Sequence, residues 1–213
     1  MTGSSATTPA VATGETEPSG TPPRVTPPAG SAPRRASPLA VGVVVWLASE
    51  LMFFGGLFAA YYTLRSVDRD WPPAGVELDT LRALLFTVVL VSSSVTMHVS
   101  VLAAERGDRR RALRWLFVTF VLGLAFVANL ALEWAGNDFT LTDHAYGSIY
   151  YLLTGFHGLH LVGGLALMIA AAVAVSGTES HVPLGSTFTI SAYYWHFVDA
   201  VWIGVFLTIF VVR

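Results

Sequence analysis

The sequence predicts an all-α, polytopic membrane protein, a bundle of five transmembrane helices behind a disordered N-terminal tail. Three observations carry this. Charged residues make up 12% of the 213 and apolar ones 54%, against roughly 25% charged in soluble domains. Five apolar runs reach the ~20 residues that a helix needs to cross the hydrocarbon; they lie at 38–64, 81–104, 112–134, 146–176 and 187–212. The breaks between them collect charges, Gly and Pro, as turns do. Spans of this length are helices, because an isolated strand in lipid leaves its backbone unpaired. No alternation of period 2 suggests a β-barrel.

Residues 1–37 come first and stand apart. They are Pro, Ser, Thr, Gly and Ala with few large apolar side chains, and they hold seven of the eleven prolines. Such a segment buries too little apolar surface to offset chain entropy, so it is expected to be disordered. It has no apolar core of a secretory signal. The transmembrane domain then occupies 38–213.

The first span, "VWLASELMFFGGLFAAYYTLR" (45–65), is nearly all apolar or small, with Glu50 in its middle. Its acid lies ~18 Å into the helix at 1.5 Å per residue, close to the bilayer midplane. The second and third spans are joined by "AERGDRRRALR". The fourth carries His157 and His160 in "HGLH", and the fifth carries His196 and Asp199 in "HFVD".

Arginine sets the orientation, since cytoplasmic loops are enriched in basic residues. Arg24, Arg34, Arg35, Arg106, Arg109, Arg110, Arg111 and Arg114 fall on one side; Arg65, Arg69, Arg82 and Arg213 fall on the other. The N-terminus is therefore expected in the cytoplasm and the C-terminus outside. There is no Lys. The formal net charge of -2 gives no reason to expect a nucleic-acid partner. The absence of Cys excludes disulfides, thiolate metal sites and a cysteine nucleophile.

Glu50, His157, His160, His196 and Asp199 thus lie at similar depth on three helices. A charged group facing lipid there costs ~2.5–3.5 kcal/mol on the insertion scale, so these side chains are expected to face inward or toward a polar cavity. Two readings stay open. One is interhelical hydrogen bonding that fixes packing, at ~0.6 kcal/mol per bond. The other is a proton-linked or ligand-linked site, the default hypothesis for an intramembrane acid. A metal reading of "HGLH" and "HFVD" is weaker: the i, i+3 spacing shares a helix face, but the Glu of an HExxH helix is missing. Trp71, Trp115 and Trp134 sit at span ends and fit an aromatic belt. Trp46, Trp195 and Trp202 are deeper. They are expected to pack between helices or to line a cleft, with Trp46, Tyr193 and Trp195 the candidate lining residues.

At these residues the chain resembles subunit III of the haem–copper cytochrome c oxidases, of the aa3 type. The motifs are "SELMFFGGLFAAYY" (49–62), "WPPAG" (71–75), "ERGDRR" (105–110), "YGSIYYLLTGFHGLHLVGG" (146–164) and "YYWHFVDAVWI" (193–203), in the family's order. Five spans match the shorter bacterial form, and the detail of "SELMFFGGLFA" is most similar to actinobacterial members. The resemblance implies a redox-inactive subunit of a proton-pumping, O2-reducing oxidase in the bacterial cell membrane. It implies no cofactor bound directly by this chain, with haem a and copper in partner subunits I and II. It implies binding to subunit I, phospholipid held in a cleft, support of proton uptake and stability, and a cytochrome bc complex as a candidate supercomplex partner. Glu50 matches the family's carbodiimide-reactive acid. A third subunit of a quinol oxidase, or the small subunit associated with nitric oxide reductases, shares the five-span plan. An autonomous proton-coupled transporter rests on Glu50 and the histidines alone, and uninterrupted spans do not suggest one.

Overall fold

The computed structural model describes residue 3 and residues 38–68, 70–177 and 183–212. The tail read as disordered lies, residue 3 apart, outside the described residues, as do Arg69 and Arg213.

Five α-helices follow one another: α1 (Pro38–Val67), α2 (Thr80–Glu105), α3 (Arg109–Gly136), α4 (Ala145–Ser176) and α5 (Leu184–Phe206), the last continued by a π-helical turn over Leu207–Val212. All five are long and apolar enough to cross a membrane. There is no strand among the described residues.

Short polar breaks place the helix starts. The Asp79 side chain caps α2 by accepting from the Arg82 N–H at 3.0 Å. Asp108 does the same for α3 through the Arg111 N–H at 3.0 Å. His144 Nδ1 accepts from the Gly147 N–H at the start of α4, at 2.8 Å. Each cap satisfies a backbone donor that the first turn leaves free. Gly107, at φ +74°, makes the tight turn between α2 and α3, a backbone conformation that costs a glycine nothing.

Helices α2, α3, α4 and α5 close into a ring, each packed on the next, and α1 lies outside it against α4 and α5. Trp195 is the hub. It is fully buried, its indole N–H donates to Ser93 Oγ on α2 at 2.9 Å, and its ring lies on Gly123 of α3 and Gly164 of α4. A Cβ built on Gly123 would meet the ring at 2.5 Å, and one on Gly164 at 2.9 Å. The two glycines are there because the indole takes the space of their side chains. Trp202 repeats the pattern two turns along α5: its N–H donates to Thr87 Oγ1 at 2.9 Å, and its ring meets Phe126 edge-on at 4.7 Å.

The belt expectation fails for one tryptophan. Trp71 is wedged between Tyr61 and Tyr146, with ring centroids at 5.2 and 5.1 Å. The α1–α2 connection folds back over the helix ends, so this ring packs on protein.

Candidate functional site

The mid-depth polar residues separate into three places. The first joins α1 to the bundle. Glu50 Oε2 lies 3.1 Å from His160 Nε2. The other ring nitrogen, Nδ1, is 2.7 Å from the carbonyl of Phe156, which can only accept, so Nδ1 carries the proton. Glu50 and Nε2 are therefore held together by one shared proton, carried by the carboxyl in a neutral pair or by the ring in an ion pair. An aromatic collar surrounds them. Trp46 stacks on Tyr194 at 5.3 Å, Phe53 meets Phe156 edge-on at 4.9 Å, and Phe54 meets His160 at 5.0 Å. Tyr194 OH donates to the His160 carbonyl at 3.0 Å. Trp46, Glu50 and Phe53 recur at i, i+4 and i+7, so one stripe of α1 supplies all three. The pair is not sealed: 23% of the Glu50 side chain and 13% of that of His160 remain accessible.

The second place lies between α2 and α5. Ser94 Oγ touches both His196 Nδ1, at 2.9 Å, and Asp199 Oδ2, to which it donates. One hydroxyl has one proton, so His196 Nδ1 is the donor toward Ser94. Asp199 Oδ1 is buried and has no partner among the described residues.

The third is His157 alone. It is fully buried, tilted on Trp202 at 4.9 Å and edge-on to Phe126 at 6.1 Å. Neither of its ring nitrogens has a partner among the described residues.

The "HGLH" pair is thus divided: His160 faces α1 and His157 faces α3 and α5. No group of three or more His, Cys, Asp or Glu among the described residues could hold a metal ion. Trp46 lies in the collar, whereas Trp195 is the core hub and reaches no cleft. Tyr193 points outward, 47% exposed; its neighbour Tyr194 makes the contacts.

Three residues escaped the sequence. Tyr194 was hidden by the "YY" doublet, in which only the helical phase tells the two apart. Ser94 belongs to the polar run 92–94 in the middle of the second apolar stretch, a signal at the right depth. Glu133 was not singled out, although it lies inside the 112–134 span; it accepts from Tyr150 OH at 3.0 Å. Nearby, Arg82 Nε donates to Asn129 Oδ1 at 2.6 Å. This is a polar layer separate from the midplane one.

The family model for cytochrome c oxidase subunit III matches residues 32–212. The chain belongs to the cytochrome c oxidase subunit III family. A probable cytochrome c oxidase subunit 3 of Nocardia farcinica is 40% identical over 198 residues, covering 91% of this chain and 98% of that protein. One of Mycobacterium tuberculosis is 45% identical over 184 residues, 84% and 90% of the two chains. The subunit 3 of Thermostichus vulcanus is 33% identical over 173 residues, 80% and 86% of the two. The higher identities of these three are the actinobacterial ones. Membership makes the chain one part of an oxidase complex with other subunits. The Glu50–His160 joint and, Trp46 apart, its aromatic collar come from the stretches "SELMFFGG", "GFHGLH" and "YYWHFVD".

Proposed function

We propose that the chain is a redox-inactive third subunit of a proton-pumping respiratory cytochrome c oxidase in a bacterial cell membrane. In this reading it binds subunit I, holds phospholipid along the α1 side, and sustains proton uptake and the durability of the catalytic core. Haem a and copper belong to subunits I and II. The arginine-rich α2–α3 turn faces the cytoplasm and the end of α5 faces outward, in keeping with the arginine distribution.

The observation that carries this is the Glu50–His160 pair. It is held at mid-depth by three helices and left partly open, at a helix attached to the ring on one side only. An acid so placed needs a partner in the membrane, and the imidazole supplies it. His160 commits both ring nitrogens, His196 commits Nδ1, and His157 lies against Trp202 and Phe126.

The test uses an affinity-tagged chain in its own membrane. Mild extraction should bring down haem a, copper and two further subunits, and a chain that purifies without haem a overturns the assignment. In the assembled oxidase, Glu50→Gln should leave the proton-to-electron ratio unchanged, because an amide keeps the hydrogen bond to His160. A clear fall in that ratio with assembly intact would make Glu50 a proton carrier.

A further inference from the structure

On the outer face of the ring, away from α1, a groove of about 280 Å³ runs between α3 and α4. It is lined by Leu113, Phe117, Phe120, Met168 and Ile169 among others. It is open to the surroundings, with Phe117 66% and Ile169 53% exposed. Its residues lie one to three turns inside the start of α3 and one to two turns inside the end of α4. The groove therefore occupies the leaflet next to the α2–α3 turn.

That turn is strongly basic. Arg106, Arg109, Arg110, Arg111 and Arg114 stand within nine residues, and the nearby carboxylates do not answer them. Asp108 is spent on capping α3 through the Arg111 N–H, and Glu105 ends α2 exposed. Among the described residues, no carboxylate lies within ion-pair distance of these arginines. Helical phase divides them. Arg109 sits one turn before Leu113, and Arg110 two turns before Phe117, on the face that carries the groove; Arg111 lies on the opposite face. Arg114 is tied back, its Nε donating to the Arg110 carbonyl at 3.3 Å.

We propose that the α3–α4 groove is a binding site for one anionic phospholipid. Arg109 and Arg110 hold the headgroup phosphate, and an acyl chain lies along Leu113, Phe117, Phe120, Met168 and Ile169. Two features at the right spacing support this, an apolar trough in one leaflet and, at its membrane-surface end, guanidinium groups that form no ion pair among the described residues. Guanidinium forks match phosphate oxygens. The site is on α3 and α4, away from the α1 side invoked above. It rests on that reading only in placing the chain in a bilayer within its complex.

The test uses the assembled complex in phosphatidylcholine vesicles containing graded phosphatidylglycerol with a photoreactive acyl chain. Complex recovery is measured first, so a failure of assembly is read separately from a failure of lipid binding. Label should fall on peptides holding Phe117 and Ile169 and saturate at a low phosphatidylglycerol fraction. R109Q/R110Q should raise the half-saturating fraction about 30-fold, since each basic residue near an anionic surface contributes about fivefold. R111Q, which removes one charge on the other face, should leave it within about twofold of the parent. Ala172→Leu, which fills the trough without touching the arginines, should remove the label from both peptides. Should the arginine double variant not assemble, Ala172→Leu and R111Q still decide the matter. Equal labelling by photoreactive phosphatidylcholine, an R111Q shift as large as that of the double variant, or unchanged labelling in Ala172→Leu would each overturn the site.

Discussion

Helices α1 and α5 both carry polar side chains near mid-depth, yet they are attached in opposite ways. Helix α5 is packed on α2 and α4 along much of its length, and the indole of Trp195 fills space left by Gly123 and Gly164. Its hydrogen bonds to Ser93, Ser94 and Thr87 decorate contacts that close packing already makes. Helix α1 touches the ring along one stripe, most of its apolar surface is exposed, and at mid-depth its one charged side chain pairs with His160. A polar group in a membrane bundle thus does different work according to what surrounds it. In the core it trims a fit that van der Waals contact holds; at the edge it is a large part of the joint. Interhelical hydrogen bonds average only ~0.6 kcal/mol, so only where packing is sparse does one pair weigh heavily.

The strongest way to break the comparison is to attack the packed side. Gly123→Leu places a Cβ 2.5 Å from the Trp195 ring. That ring cannot move aside without losing its bond to Ser93. The expected cost is about 3 kcal/mol or more, the upper range for overpacking. The measurement is the yield and thermal midpoint of the assembled complex in detergent. Both should fall, and adding Trp195→Phe, which shortens the ring, should restore part of the loss. A fully stable Gly123→Leu complex would mean that α5 is not held by fit.

The edge joint should respond on a smaller scale and in one place. Glu50→Ala leaves His160 Nε2 without its partner and removes the acid that bridges α1 to α4. An unpaired buried polar group costs ~1–3 kcal/mol, here toward the low end because the site is partly open. Hydrogen exchange in the assembled complex should speed up in α1 peptides while α5 peptides keep their protection. Equal loss of protection in α5 would show that the two helices are not held independently.

How much of this was legible beforehand differs between the same two regions. The five helices could be read from apolar length alone, because the hydrocarbon thickness imposes that length on any span. The family could be read from motif order. Glu50, His157, His160, His196 and Asp199 were also found, because an ionisable residue in an apolar run is conspicuous. Their partition was not legible. His157 and His160 are three residues apart, and which of them turns to α1 depends on helix rotation, fixed by the neighbours. Trp195 and Tyr193 were both candidates for a cleft; packing sent one into the core and the other outward. Glu133 was passed over because an acid close to the end of a span reads as a surface residue, and its Tyr150 partner lies on another helix.

The smallest effect lies outside the membrane, in the connection between α3 and α4, and it tests whether pH reaches either joint from there. Asp143 is fully exposed, so it makes no packing contribution. Its carboxylate accepts from the Thr140 N–H at 2.7 Å and from Thr140 Oγ1 at 2.8 Å. The backbone bond first, and then the hydroxyl, hold its pKa below the ordinary value of 3.8. The folded loop therefore takes up its proton at a lower pH than the unfolded chain does. Whatever the loop gains from this carboxylate is present in full above the ordinary aspartate value, and it is lost as pH falls through the lowered folded one. Exchange of the Thr140 amide, corrected for its intrinsic pH dependence, should stay protected from neutrality down to about 4 and open below that. In Asp143→Asn the neutral amide oxygen still accepts one bond, so protection should be weaker at neutrality and flat across the same range. The α1 and α5 peptides should not follow the loop in either protein, since the caps and contacts that hold those helices do not include Asp143. Loss of protection in α1 in step with Thr140 would mean that the edge joint is coupled to the α3–α4 connection, and the separation between the two regions would have to be given up.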